Sequence, residues 1–266
     1  MNIAYMNQTL TNIHPEAIIG ENVVIESFTT ISKDVVIGDN TWIGPNVVIM
    51  DGARIGKNCK IFPGAVIAGI PQDLKFVGEE TTVEIGDNNI IREYVTINRG
   101  TKAKGKTVIG NNCLIQSYAH VAHDCLIGNN VIVGSYSGLA GEVEVDEFAI
   151  VSPGTLVHQF VKIGKHVIIQ GGSKVIKDVP PFITAGREPL VFAGLNSVGL
   201  RRRGFSTEKI DEIQSLYRQI YQMGMNVSTA IKYIEENHPE TEVRDEIISF
   251  IKDAKRGIIR GMREVS

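Results

Sequence analysis

The feature that most restricts what this chain can fold into is a period of six. From Ile109 every sixth residue is aliphatic: Ile109, Ile115, Val121, Ile127, Val133, Leu139, Val145, Val151, Val157, Ile163, Ile169 and Val175. Four places after each comes a small or β-branched residue, from Cys113 and Ala119 through Ser137 and Thr155 to Val179. Six matches neither the helical 3.6 nor an open-ended strand alternation, but it suits a coil of three short strands per turn. The aliphatic residue then fills each strand's inner face, the smaller one sits beside a tight corner, and successive coils hydrogen-bond about 4.8 Å apart. The pattern predicts an all-β solenoid.

The same register runs earlier through ten isoleucines, Ile13, Ile19, Ile25, Ile31, Ile37, Ile43, Ile49, Ile55, Ile61 and Ile67. Glycine follows at Gly20, Gly38, Gly44 and Gly56, with Asn or Asp at Asn22, Asp34, Asn40, Asn46 and Asn58. Such residues suit corners with unusual backbone angles, so these glycines belong to corners and not to a phosphate loop. The register breaks at 68–84, where Asp73 and Glu79 would fall on the core position. Burying two unpaired carboxylates is costly, so this segment leaves the coil as an external loop. A second break spans 98–108, and long loops on a rigid scaffold are frequent carriers of function.

At 266 residues the chain has room for one elongated domain and a smaller second one. The expected division is a solenoid over 1–178 and a linker with a helical domain over 179–266. DVPPFITAGREP, from Asp178, has the Pro and Gly content of a linker. Ser206 then caps a helix with Ile210, Ile213, Leu216, Tyr217 and Ile220 on one stripe, and Ser228 caps a short second. Val243, Ile247, Ile251, Ala254 and Ile258 line a third. A helical tail would shield the open end of the solenoid.

The net charge of −3 lacks the basic surplus of nucleic-acid binders. The start, MNIAYMNQTL, has no leader-like n-region, and no apolar run reaches spanning length. The expectation is a cytoplasmic protein that does not insert into membranes. The three cysteines, Cys59, Cys113 and Cys125, occupy small-residue positions of the hexad and read as inert core fillers.

Three hexads make one coil, so residues eighteen apart stack. One such column is His123, Gly141 and Gln159; its neighbour is Asp124, Glu142 and Phe160. A glycine next to a histidine leaves a notch where a substrate carbonyl can approach backbone N–H groups. Two chemistries fit these residues. In one, Asp124 orients His123 as a general base toward a hydroxyl. In the other, His120, His123 and His158 bind zinc, which needs three ligands converging about 2 Å from one point; His120 and His158 lie two coils apart at different hexad positions, which weighs against it. His14, His166 and His238 read as structural or solvated. Arg201, Arg202 and Arg203 form a solvated face or an anion clamp. A non-catalytic ice-binding coil would want one flat face of threonines, and the outward positions here are mixed and charged.

The coil repeat, PQDLKF at 71–76, IREYVTINRGT at 91–101, AHVAHDC at 119–125, VHQF at 157–160 and GLNSVGLRRRGF at 194–205 together resemble the UDP-N-acetylglucosamine O-acyltransferase family of lipid A synthesis. The likeness spans essentially the whole chain. It implies a left-handed parallel β-helix with a helical C-terminal domain, assembled as a homotrimer with sites between subunits. It also implies transfer of a 3-hydroxyacyl chain from acyl carrier protein to the 3-hydroxyl of UDP-N-acetylglucosamine, with no metal and no cofactor beyond the carrier's phosphopantetheine. By this resemblance His123 is the general base, Asp124 its orienting partner, and Gly141 the residue whose N–H faces the oxyanion. Asp73, Lys75, His120 and Gln159 match sugar-nucleotide and acyl contacts. Asn196, Arg202 and Arg203 match residues near pantetheine or nucleotide phosphates, and Gly171 the position limiting acyl length. The chain departs from the family at Glu142, where a histidine is usual, and at Val198, where the tail motif carries glutamate. The other readings in view are a hexapeptide acyltransferase with a different UDP-amino sugar or donor, a zinc-dependent coil enzyme, and a non-catalytic solenoid.

Overall fold

The computed structural model describes residues 10–262; the opening residues that bear on the absence of a leader lie mostly outside them. The chain winds into three sheets of nine, eight and eleven strands, in which each strand of the coil pairs in parallel with one a full coil later. In the third sheet Leu114 pairs with Ile132, Ile132 with Ile150, and Ile150 with Ile168. The winding therefore follows the eighteen-residue spacing, and the hexad aliphatics from Ile31 to Val175 are buried. Cys59, Cys113 and Cys125 are buried free thiols. Desolvation pushes the Cys113 thiol up to about 11 and the Cys125 thiol up to about 12, so both stay protonated and unreactive near neutrality.

Most corners contain a residue in the left-handed backbone region. Between the second and third sheets these are Asn22, Asn40, Asn58, Asn88, Asn112 and Asn130, then Phe148, His166 and Phe182. Asparagine enters this region readily; a bulky ring costs roughly 1–2 kcal/mol. The rings recover that cost by stacking: Phe148 on His166 at 5.0 Å and His166 on Phe182 at 5.8 Å, with Phe205 edge-on at 5.2 Å. The change from asparagine to aromatic comes where the C-terminal segment covers this corner. There Arg203 lies 5.0 Å over the Phe148 ring and Asn196 Nδ2 donates to the His166 carbonyl at 2.8 Å.

Several expectations are corrected. The segment read as a linker contains a strand, Ile183–Gly186, that pairs with Ile168–Ile169 and extends the third sheet, because Ile183 and Ala185 are apolar enough to be buried. Val191–Leu195 returns antiparallel to it. A helix not foreseen, α1 (Ser197–Arg202), is capped by Asn196. Helix α2 (Thr207–Tyr221) begins at the Ser206 cap with the expected buried stripe. Helix α3 (Val227–Asn237) is capped by Asn226 and not Ser228, since the Asn226 side chain already accepts the Thr229 N–H. Helix α4 (Glu242–Asp253) stops before Ala254, and Ile258 forms a bridge with Asp178 instead of a helical turn. The Tyr217 hydroxyl donates to the Pro181 carbonyl at 2.6 Å and ties α2 to the end of the coil. The external loops are shorter than the breaks in register, 70–81 and 99–105, because the flanking strands extend into them.

Candidate active site

Both external loops leave the solenoid at the corner between the first and second sheets, the corner that also holds His123, Gly141 and Gln159. The stacking there is direct. The Glu142 N–H donates to the His123 carbonyl at 3.0 Å, and the Phe160 N–H to the Gly141 carbonyl at 3.3 Å, each bond joining one coil to the next. A Cβ placed on Gly141 would lie 2.5 Å from His123 Cε1 and 2.6 Å from Nε2. The imidazole thus occupies the space that the missing side chain leaves, with Nε2 over the Gly141 backbone.

Gly141 stands two places after the core aliphatic Leu139. At the corresponding place on the next corner, N–H groups point out of the coil toward side chains one turn on: Glu21 to Asp39, Lys57 to Asp87, Asp87 to Asn111 and Asn111 to Asn129. The same phase directs the Gly141 N–H outward, on the side where the coil above presents Gln159.

Asp124, with φ at 61°, turns its carboxylate back beside the ring, and its Oδ2 lies 2.8 Å from His123 Nδ1. It is fully buried, and His123 is 8% exposed. A buried carboxylate needs several donors. Oδ1 accepts the N–H groups of Thr101 at 2.9 Å and Lys104 at 3.2 Å, and Oδ2 accepts the Thr101 hydroxyl at 2.6 Å. The Thr107 hydroxyl accepts the Asp124 N–H at 2.8 Å. An acceptor-only carboxylate makes Nδ1 the protonated nitrogen, which leaves a lone pair on Nε2. Such a nitrogen can take a proton from a hydroxyl.

His120 lies on the outer face of the first sheet, half-buried, with Nδ1 2.7 Å from the Thr96 hydroxyl. Burial, then repulsion by His123, lowers its pKa below the usual histidine value; it is a neutral hydrogen-bonding group. His158 is exposed and turns Nδ1 to the Gln159 carbonyl at 3.1 Å. No group of three His, Cys, Asp or Glu side chains among the described residues is arranged to hold a metal ion. Asp73 is half-buried in the first loop and accepts the Lys75 N–H at 2.9 Å, while Lys75 is exposed. Glu79 of that loop accepts the Lys102 N–H at 2.9 Å and joins the two loops.

One chain does not bring every expected residue to this corner. Gly171 lies at the corner between the third and first sheets, where an added Cβ would meet the Pro153 carbonyl oxygen at 3.0 Å. Asn196, Arg202 and Arg203 lie by the remaining corner. Asn196 is buried and engaged in the α1 cap and the His166 carbonyl. Arg203 is half-buried against Phe148, and Arg202 is exposed. Sequence reasoning missed Thr101, Lys104 and Thr107. A signal was present: the interruptions fall between Ile67 and Ile85 and between Ile97 and Ile109, the same phase as Val121 and Ile127 on either side of His123.

This geometry has close counterparts. A family model described as UDP N-acetylglucosamine O-acyltransferase, domain 2, matches residues 178–259, and a hexapeptide transferase repeat model matches 34–69 and 106–141. A curated acyl-[acyl-carrier-protein]–UDP-N-acetylglucosamine O-acyltransferase of Aliarcobacter butzleri is 45% identical over 256 residues, 94% of this chain and 98% of that protein. The chain belongs to the UDP-N-acetylglucosamine O-acyltransferase family. The Xylella fastidiosa enzyme of the same name is 43% identical, covering 96% of this chain and all of its own. Among solved structures, a UDP-N-acetylglucosamine acyltransferase from Bacteroides fragilis superposes with a TM-score of 0.94 at 55% identity, over 96% of this chain and 100% of that one. The Francisella novicida enzyme superposes at 0.93 with 40% identity, over 96% and 94%. The solenoid is the left-handed parallel β-helix of this family. No helix among the described residues is long and apolar enough to cross a membrane.

Proposed function

We propose that this chain is a cytoplasmic enzyme moving a 3-hydroxyacyl group from the thioester of acyl carrier protein to the 3-hydroxyl of UDP-N-acetylglucosamine, the first step of lipid A synthesis. The observation that carries this reading is the His123 ring, oriented by Asp124 with Nε2 seated over Gly141. Nε2 takes the hydroxyl proton as the sugar oxygen attacks the thioester carbonyl, and the Gly141 N–H receives the developing oxyanion. Collapse of the tetrahedral intermediate breaks the C–S bond, and the proton on Nε2 passes to the departing thiolate. The protein needs no cofactor of its own beyond the pantetheine arm that the carrier brings.

His120, Gln159, Asp73 and Lys75 are assigned to the acceptor and acyl group at this corner. Asn196, Arg202 and Arg203 are assigned to anionic groups of nucleotide or pantetheine, and Gly171 to the end of the acyl chain. These last four lie at other corners of the same chain, which supports a homotrimer whose neighbouring subunits complete each site. Arg201 to Arg203 offer basic surface for the acidic carrier. The test is an acyl-chain-length series on carrier protein with UDP-N-acetylglucosamine and its 3-amino analogue as acceptors, together with the solution mass. O-acylated UDP-N-acetylglucosamine from a three-chain assembly is expected. Transfer confined to the amino analogue, or a requirement for acetyl-CoA, would replace this reading with that of another hexapeptide acyltransferase.

A further inference from the structure

We infer that Thr101 is a positioning residue for the acyl transfer, and that the 99–105 excursion leaves the coil in order to build the pocket holding Asp124. This rests on the proposed role of His123. Thr101 is buried and gives the Asp124 carboxylate two bonds, N–H to Oδ1 at 2.9 Å and Oγ1 to Oδ2 at 2.6 Å. Oδ2 is also the atom 2.8 Å from His123 Nδ1. The hydroxyl and the imidazole therefore bind the same oxygen, and the direction in which that oxygen faces the ring depends on both.

The excursion is itself braced from three sides. The Lys104 N–H is a further donor to Oδ1, and its ammonium pairs with Glu144 Oε1 of the second sheet at 3.0 Å. The Thr81 hydroxyl donates to the Gly100 carbonyl at 2.6 Å, and Glu79 of the other excursion accepts the Lys102 N–H. A plain six-residue corner offers a side chain of the next coil a single N–H, as Glu21 does to Asp39, and not the two N–H groups and the hydroxyl that the buried Asp124 carboxylate accepts. The insertion between Ile97 and Ile109 supplies them. Residues expelled from one coil thus hold the buried carboxylate of the following one.

Thr101→Val keeps the shape and the backbone N–H but removes the hydroxyl. With one bond to a buried charge lost, Asp124 Oδ2 is free to swing, and misaligned bases lose about 10- to 100-fold in rate. The expected result is a kcat lower by that factor, a KM for the UDP-sugar within about twofold of wild type, and recovery to within about threefold in Thr101→Ser. Thr101→Ala, which leaves space where valine puts a methyl against a carboxylate, carries the same expectation should the valine variant fail to fold. Wild-type kcat in a folded Val or Ala variant, or an equal loss in Thr101→Ser, would overturn the inference. So would a loss appearing in KM alone. Substitution of His123 is assayed alongside: a His123 variant that retains activity would remove the base assignment itself, whatever Thr101 does.

Discussion

Gly141→Ala is the most searching single substitution in this fold, because it adds one methyl group and changes little else. The methyl would sit 2.5 Å from His123 Cε1, 2.6 Å from Nε2 and 3.1 Å from Nδ1. Carbon atoms in contact keep about 3.5 Å apart, so the ring must retreat by about 1 Å. It cannot do so freely, since Nδ1 is bound to a carboxylate that three other donors hold in place. A displacement of that size at the reacting nitrogen costs about 100-fold in rate. Gly141 has no left-handed backbone angle, so alanine imposes no backbone strain and keeps the N–H. Steady-state acyl transfer should show kcat reduced about 100-fold or more, with the solution mass unchanged and the thermal midpoint within a few degrees of wild type. A Gly141→Ala enzyme within threefold of wild-type kcat would refute the placement of the imidazole over this glycine.

Asp124→Asn keeps the size, and asparagine enters the left-handed region readily, but it exchanges an acceptor for an amide donor facing Nδ1. The ring then protonates at Nε2 and ceases to be a base, so kcat should fall about 10²- to 10⁴-fold with little change in KM, measured by the same assay. Stability should depend on acid through His166, whose burial among Phe148, Phe182 and Phe205, with repulsion from Arg203 and Lys165 against a smaller opposing effect of Glu147, lowers its pKa from 6.5 to about 4. The folded state therefore binds this proton less well than the unfolded chain. The stabilisation is complete above about pH 6.5 and is lost as pH falls toward 4, up to about 3 kcal/mol per chain. Thermal midpoints at pH 7.5 and 4.5 should converge in His166→Phe relative to wild type; an undiminished difference would assign the acid sensitivity elsewhere.

Much of this molecule was legible because one residue in six faces a narrow column with room for a single aliphatic side chain. That constraint repeats at every strand from Ile13 to Val175, so the period, the coil of eighteen and the stack of His123 on Gly141 followed from counting. The places where counting failed are those where the backbone contacts something other than its own neighbouring coil. Ile183–Gly186 looked like a linker because Pro180, Pro181 and Gly186 surround it, yet the last coil offered an unpaired strand edge that it completes. Asn226 displaced Ser228 as a cap because either side chain can accept an N–H and local sequence does not rank them. Thr101 and Lys104 were missed because a hydrogen bond from a loop to a residue 23 or 20 positions away leaves no periodic trace of its own. The residues at other corners, Gly171, Asn196, Arg202 and Arg203, come from likeness to a family, and only an assembly of chains would unite them with His123.

Turnover of His123→Ala, measured on assembled protein with acyl carrier protein thioester and UDP-N-acetylglucosamine, bears most directly on the account. With Nε2 gone, the acceptor hydroxyl has no base at this corner, and the rate should fall by at least about 10³-fold while the fold and the solution mass stay those of the wild type. A folded His123→Ala enzyme with the wild-type solution mass, turning over at a rate near wild type, would contradict it.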